Sequence, residues 1–115
     1  QRAAALQLKE NIQRLFGKSP VVLLCAVMRD KNTKEVVRQL NEIAEVAVCT
    51  VAEPQRGTPP QDLAALFSCP AEAEPDAAKA YARACEAARH RGALLVVAGS
   101  LYLPGAIGIG SAQEG

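Results

Sequence analysis

Three short apolar runs, each too short to cross a bilayer and each followed by polar turn residues, constrain this chain most. They are VVLLCAVM at Val21 to Met28, EVAVCTV at Glu45 to Val51 and ALLVVA at Ala93 to Ala98. Continuous apolar runs of this length, rich in β-branched residues, read as strands buried on both faces. Amphipathic segments separate them. Ala5, Leu8, Ile12, Leu15 and Phe16 form one stripe on a helix from Ala3 to Phe16 that Gly17 closes. Asn32, with Glu35 three residues on, resembles a capping box and starts a helix that buries Val36, Leu40, Ile43 and Ala44. In TPPQ, Thr58 suits the cap, Pro59 the first helical position and Gln61 the return bond, with Leu63, Leu66 and Phe67 as the inner face. Residues 68–75 form a loop with room for one short edge strand. Asp76 to Arg91 is the clearest helix, with Ala77, Tyr81, Ala84 and Ala88 on one side, basic residues at its negative end and Gly92 as its stop. The segment GSLYLPGAIGIG reads as a closing antiparallel hairpin or edge.

Strands alternating with helices predict an α/β fold: a Rossmann-like, open, mostly parallel sheet with helices on both faces. An opening helix with no strand before it implies that the first strand of the sheet lies upstream of Gln1. Residues 1–115 read as a single domain, long enough for a real core and short for a self-sufficient ATP-using enzyme. Half of the residues are apolar, but only 3% are aromatic and none is Trp, so Val, Leu, Ile and Ala must fill that core. The formal charge of +1, from 13 basic and 12 acidic residues, gives no basic face for nucleic acid or an anionic membrane. Cys25, Cys49, Cys69 and Cys85 lack zinc-type spacing and read as reduced, mostly buried thiols, which points to a cytoplasmic setting.

In an open parallel sheet, ligands gather beyond the carboxyl ends of the strands, where three loops emerge. In the first, Asp30, Lys31 and Asn32 precede a helix. Lys31 offers three donors to a carboxylate or phosphate beside a positive helix end, or the loop is solvated and Asp30 or Asn32 merely caps the helix. In the second, Arg56 between Gln55 and Gly57 could clamp an anion or be an ordinary surface arginine. In the third, Gly99 and Ser100 could hold an anion with backbone amides and a hydroxyl, or simply turn the chain. Tyr102 would line the same cleft or pack against the core. No catalytic residue emerges: His90 belongs to a helix end, and no Ser/His/Asp set, Cys/His pair or metal cluster is present. GKSP at Gly17 precedes a strand instead of following one and fails as a P-loop, and GAIGIG has no helix after it.

Taken together, the buried strand followed by RDKN, EPQRG before a capped helix, and VVAGSLYLPGAIG resemble the C-terminal domain of folylpolyglutamate and dihydrofolate synthases, in the Mur ligase superfamily. The similarity runs in order over nearly the whole chain. It implies a larger ligase whose N-terminal P-loop domain binds ATP and magnesium. That enzyme forms an acyl phosphate on a folate or pteroate and couples it to the amine of L-glutamate. Lys31 and Ser100 would hold the glutamate carboxylate, Asp30 would orient the lysine loop, and Tyr102 would line the cleft. Asn32 stands where the family's loop usually ends in a carboxylate, and the family's DGAHN-like segment would precede Gln1. A domain of this type contributes positioning on closure over the ATPase domain and is inactive alone. Two other readings compete: the C-terminal domain of a Mur-type peptide ligase, against which the GSLYL and DKN segments speak, and a non-catalytic α/β regulatory module. A receiver-like module needs an acidic cluster that Asp30 lacks.

Overall fold

Strand β1, Val21–Ala26, is buried at every position because it lies inside the sheet. Strands β2 (Val46–Cys49), β3 (Ala71–Ala73) and β4 (Leu94–Gly99) complete a sheet of order β3-β2-β1-β4. All pairings are parallel, with Val22 beside Val46, Cys25 beside Cys49, Val21 beside Leu94 and Ala26 beside Gly99. These observations come from a computed structural model that describes residues 10, 11, 13–15, 17, 19–29 and 32–99. The three strands expected from apolar runs are present. The short edge strand allowed for in the 68–75 loop is β3. The proposed hairpin beyond Gly99 lies outside the described residues.

Helix α1 is Thr33–Leu40, α2 is Pro60–Ala65 and α3 is Ala77–Arg91. Strand side chains alternate between faces, so β1 feeds two cores. Leu23, Cys25 and Val27 meet Val37 and Leu40 of α1, and Leu63 and Phe67 in and beyond α2. Val22, Leu24 and Ala26 meet Ala80, Ala84 and Ala88 of α3. The helices therefore cover both faces, as expected.

Asn32 caps α1 as its spacing suggests, accepting from the Glu35 N–H at 3.3 Å. The helix stops at Leu40, before Ile43 and Ala44, which continue its apolar spacing. Both amides still bond back to the Leu40 carbonyl, and Glu45 N–H then reaches Val21 O at 2.8 Å to open β2. Asp76 caps α3 through Lys79 N–H at 3.0 Å, and Gly92 closes it with φ of 60°, a left-handed conformation that favours glycine.

One expectation needs correction. Thr58 does not cap α2; Pro59 occupies the cap position and Pro60 opens the helix. A residue before proline is driven out of the helical region, and Pro59 is extended, with ψ of 136°. The second proline thus moves the helix start one residue along and leaves Thr58 outside capping range. Leu15, on the apolar stripe of the opening helix, is 67% exposed. Periodicity names a helical face but not what covers it. The helical backbone at 10, 11 and 13–15 does end at Gly17 as read, with φ of 69° and a 3.0 Å bond from its N–H to Gln13 O.

Candidate functional site

The strand order sets where a site can form. The α1 and α2 connections carry the chain outward from β1 through β2 to β3 on one face. The α3 connection then returns it over the other face to β4, on the far side of β1. The carboxyl ends of β1 and β4 therefore lie side by side at one edge of the sheet, the usual ligand position in such folds. Gly99, at the end of β4, sits in register with Ala26 at the end of β1. Asn32 lies just beyond on the β1 side. Asp30, Lys31, Ser100 and Tyr102 lie outside the described residues.

The loop after β2 is fastened to the segment after β1. Met28 and Gly57 form an antiparallel bridge. Arg29 N–H donates to Arg56 O at 2.8 Å, and Thr58 N–H donates to Val27 O at 2.8 Å. The Arg29 Nε–H adds a bond to Gly57 O at 3.0 Å, while the Thr33 and Thr58 hydroxyls lie 3.3 Å apart. The loop itself is a tight turn in which Glu53 O accepts from Arg56 N–H at 3.1 Å and Gly57 N–H at 2.7 Å. Gly57 is required by space: a Cβ there would overlap Val51 Cγ2 and come within 3.0 Å of Glu53 O.

Arg56 thus reaches the same edge as Asn32. Its side chain is largely exposed, with Glu53 Oε1 at 3.9 Å from Nη1. An arginine held this loosely keeps its fork of donors for a planar anion. Asn32, by contrast, commits its side-chain oxygen to the helix cap. The residues that tie the loops together, Arg29, Gly57 and Thr58, were not read from sequence as site residues. Their bonds join positions far apart in the chain, and no local pattern announces them.

Elsewhere among the described residues, three of the four thiols are held in their protonated form. Burial, with a smaller contribution from neighbouring Cys49, pushes the Cys25 thiol far up. Burial, aided by Cys69, pushes Cys49 up to about 12. Burial also raises Cys69. Such thiols stay protonated and unreactive at neutral pH. His90 rests against Glu86 at 3.0 Å near the end of α3, as its position suggested. Among the described residues there is no group of three or more His, Cys, Asp or Glu suited to a metal, and no helix long and apolar enough to cross a membrane.

Comparisons with known proteins agree with this architecture. The fold matches a folylpolyglutamate synthase from Mycobacterium tuberculosis complexed with ADP and AMPPCP, with a TM-score of 0.82, 19% identity, and coverage of 91% of this chain and 26% of that one. It also matches E. coli FolC in complex with DHPP and ADP, with a TM-score of 0.75, 19% identity, and coverage of 89% and 24%. A Thermotoga maritima folylpolyglutamate synthase gives a TM-score of 0.70, 24% identity, and coverage of 92% and 24%. The chain therefore spans about a quarter of the length of these proteins. No curated protein matches the sequence. Residues 2–101 match the Mur ligase, glutamate ligase domain family, and the chain belongs to that family.

Proposed function

We propose that this domain is the C-terminal part of an ATP-dependent folylpolyglutamate or dihydrofolate synthase, and that its carboxyl edge holds the incoming L-glutamate and part of the nucleotide. The observation that carries the reading is the carboxyl edge where β1 and β4 end side by side, in a fold shared over nine-tenths of the chain with folylpolyglutamate synthases. Lys31 and Ser100 follow those two strands and are the contacts assigned to the glutamate carboxylate. Asp30 and Asn32 shape the lysine loop, Gly99 allows close backbone approach, Tyr102 lines the cleft, and Arg56 meets a carboxylate or phosphate from the β2 side.

ATP would supply the phosphoryl group that activates a folate or pteroate carboxylate, and magnesium would be held by the N-terminal domain of the same protein. The exposed Arg56 fork suits a phosphate. Among the described residues no group of three or more His, Cys, Asp or Glu is placed to hold a metal ion. This domain's contribution is orientation, bringing the amine toward the acyl phosphate as the domains close in a cytoplasmic enzyme.

The test is steady-state kinetics of the complete ligase with each substrate varied. Lys31→Ala should raise the KM for glutamate and leave that for ATP nearly unchanged, since a lost charge-assisted contact costs about 1.5–3 kcal/mol. An unchanged glutamate requirement would remove Lys31 from the site. The domain alone should hydrolyse no ATP, and sustained turnover by the pure domain would overturn the division of labour.

A further inference from the structure

We infer that Arg29 is a positioning residue for Arg56, holding the 53–58 turn so that the Arg56 guanidinium meets an anionic group of the ligand; this rests on the reading of Arg56 as a ligand contact. The geometry is specific. The Arg29 backbone N–H bonds the carbonyl of Arg56 itself, and its side-chain Nε–H bonds the carbonyl of Gly57. One residue thus fixes two consecutive peptide carbonyls immediately beside the Arg56 Cα. Thr58 N–H, bonded to Val27 O, closes the far side of the same junction.

The anchoring matters because little else restrains the Arg56 side chain. Among the described residues its ion-pair partner is Glu53, at 3.9 Å, and the side chain is 59% exposed. Where a side chain is loosely held, its aim is inherited from its backbone. The turn behind it is well specified, by two bonds to Glu53 O and by a glycine with no room for a side chain. The backbone bonds from Arg29 and Thr58 survive a change of the Arg29 side chain, so the turn stays attached and can pivot about them. Releasing Gly57 O would therefore shift Arg56 without unfolding the loop, and a displacement of about 1 Å is enough to weaken a directed contact.

The ligand group is a carboxylate or a phosphate, since a guanidinium fork serves both. The kinetic arms distinguish them: glutamate or folate dependence reports a carboxylate, and ATP dependence a phosphate. The experiment is a double-mutant cycle in the complete ligase. Arg56→Ala should raise one KM by about tenfold or more, the worth of a charge-assisted bond. Arg29→Ala should raise the same KM by about three- to tenfold, the worth of one hydrogen bond. In the Arg56→Ala background, Arg29→Ala should then add less than about twofold, because coupled residues are non-additive.

Arg29→Gln separates positioning from charge. Its amide nitrogen stands the same number of bonds from Cα as the arginine Nε, so it can donate to Gly57 O without a cation. This variant should retain most of the wild-type KM. Additive effects of the two alanine changes, or a Gln variant as impaired as the Ala variant, would overturn the inference. If Arg56→Ala raises a KM and Arg29→Ala does not, the coupling fails and the Arg56 assignment stands. If Arg56→Ala moves no KM, that assignment falls and takes the coupling with it.

Discussion

The two faces of the sheet are covered by different chemistry. On one, α1, α2 and the turn after it set the larger side chains Val37, Leu40, Leu63 and Phe67 against Leu23, Cys25 and Cys49. On the other, the residues that α3 buries fully are small, Ala80, Ala84 and Ala88, against Val22, Leu24, Val46 and Val48, with Tyr81 half-buried beside them. The first face is filled by helix side chains meeting strand side chains. The second leaves the filling to the strands and lets the helix backbone come close. A mutation should therefore damage each face in its own way: by removal of volume on the first, by addition on the second.

Leu63 is wholly buried, so Leu63→Ala should cost about 3 kcal/mol through lost transfer energy and the cavity left behind. Ala84 is equally buried, but Ala84→Leu should cost about 1–3 kcal/mol by forcing α3 away from the sheet. Urea unfolding of both variants beside the parent chain measures the pair. If α3 accommodates the leucine without loss, close approach is not what builds that face, and the contrast fails.

The thiols of the α1/α2 face give a second contrast, in pH. Burial keeps Cys25 and Cys49 protonated in the folded chain well above the ordinary thiol value of 9.0, Cys49 up to about 12. A raised folded value means that stability is fully present below the unfolded value and is lost as pH rises toward the folded one. Between pH 9 and about 12, only the unfolded chain gains from ionising these groups. Stability should fall by about 1.4 kcal/mol per pH unit for each such thiol. A Cys25→Ala/Cys49→Ala double variant should show a flatter alkaline slope in reducing buffer. An unchanged slope would mean that other groups govern the alkaline limit.

These contrasts also show which parts of the molecule local sequence can reveal. The strands were legible because β1 and β2 are apolar without interruption, the mark of burial on two faces. The ends of α3 were legible because Asp76 and Gly92 each do a job that few residues do. The start of α2 was misread because two adjacent prolines compete for the same position, and only the restriction on the residue before proline decides between them. At the candidate site, the strand-end rule points to Asn32, Arg56 and Gly99, and the sheet places all three at its carboxyl edge. The Arg29, Gly57 and Thr58 junction escaped because its partners are brought together by parallel pairing of β1 and β2, a contact without periodicity.

Thr50 sharpens the comparison at its finest scale. It follows Val46 and Val48 on alternate positions, which turns it toward the α3 face. It is fully buried, and among the described residues its Oγ1 is the buried side-chain oxygen with no hydrogen-bond partner. The backbone is not at fault, since Thr50 N–H donates to Cys25 O at 2.9 Å. A face packed so closely by alanines has little freedom to bring a partner to an orphaned hydroxyl. An unpaired buried polar group costs about 1–3 kcal/mol, and replacing it by an apolar group of the same shape removes that cost. Thr50→Val should therefore leave the chain as stable as before or raise its stability by about 1 kcal/mol, read as a higher urea midpoint at unchanged slope. A loss of stability would mean that the hydroxyl is satisfied after all, and that the α3 face is less tightly sealed than its alanines imply.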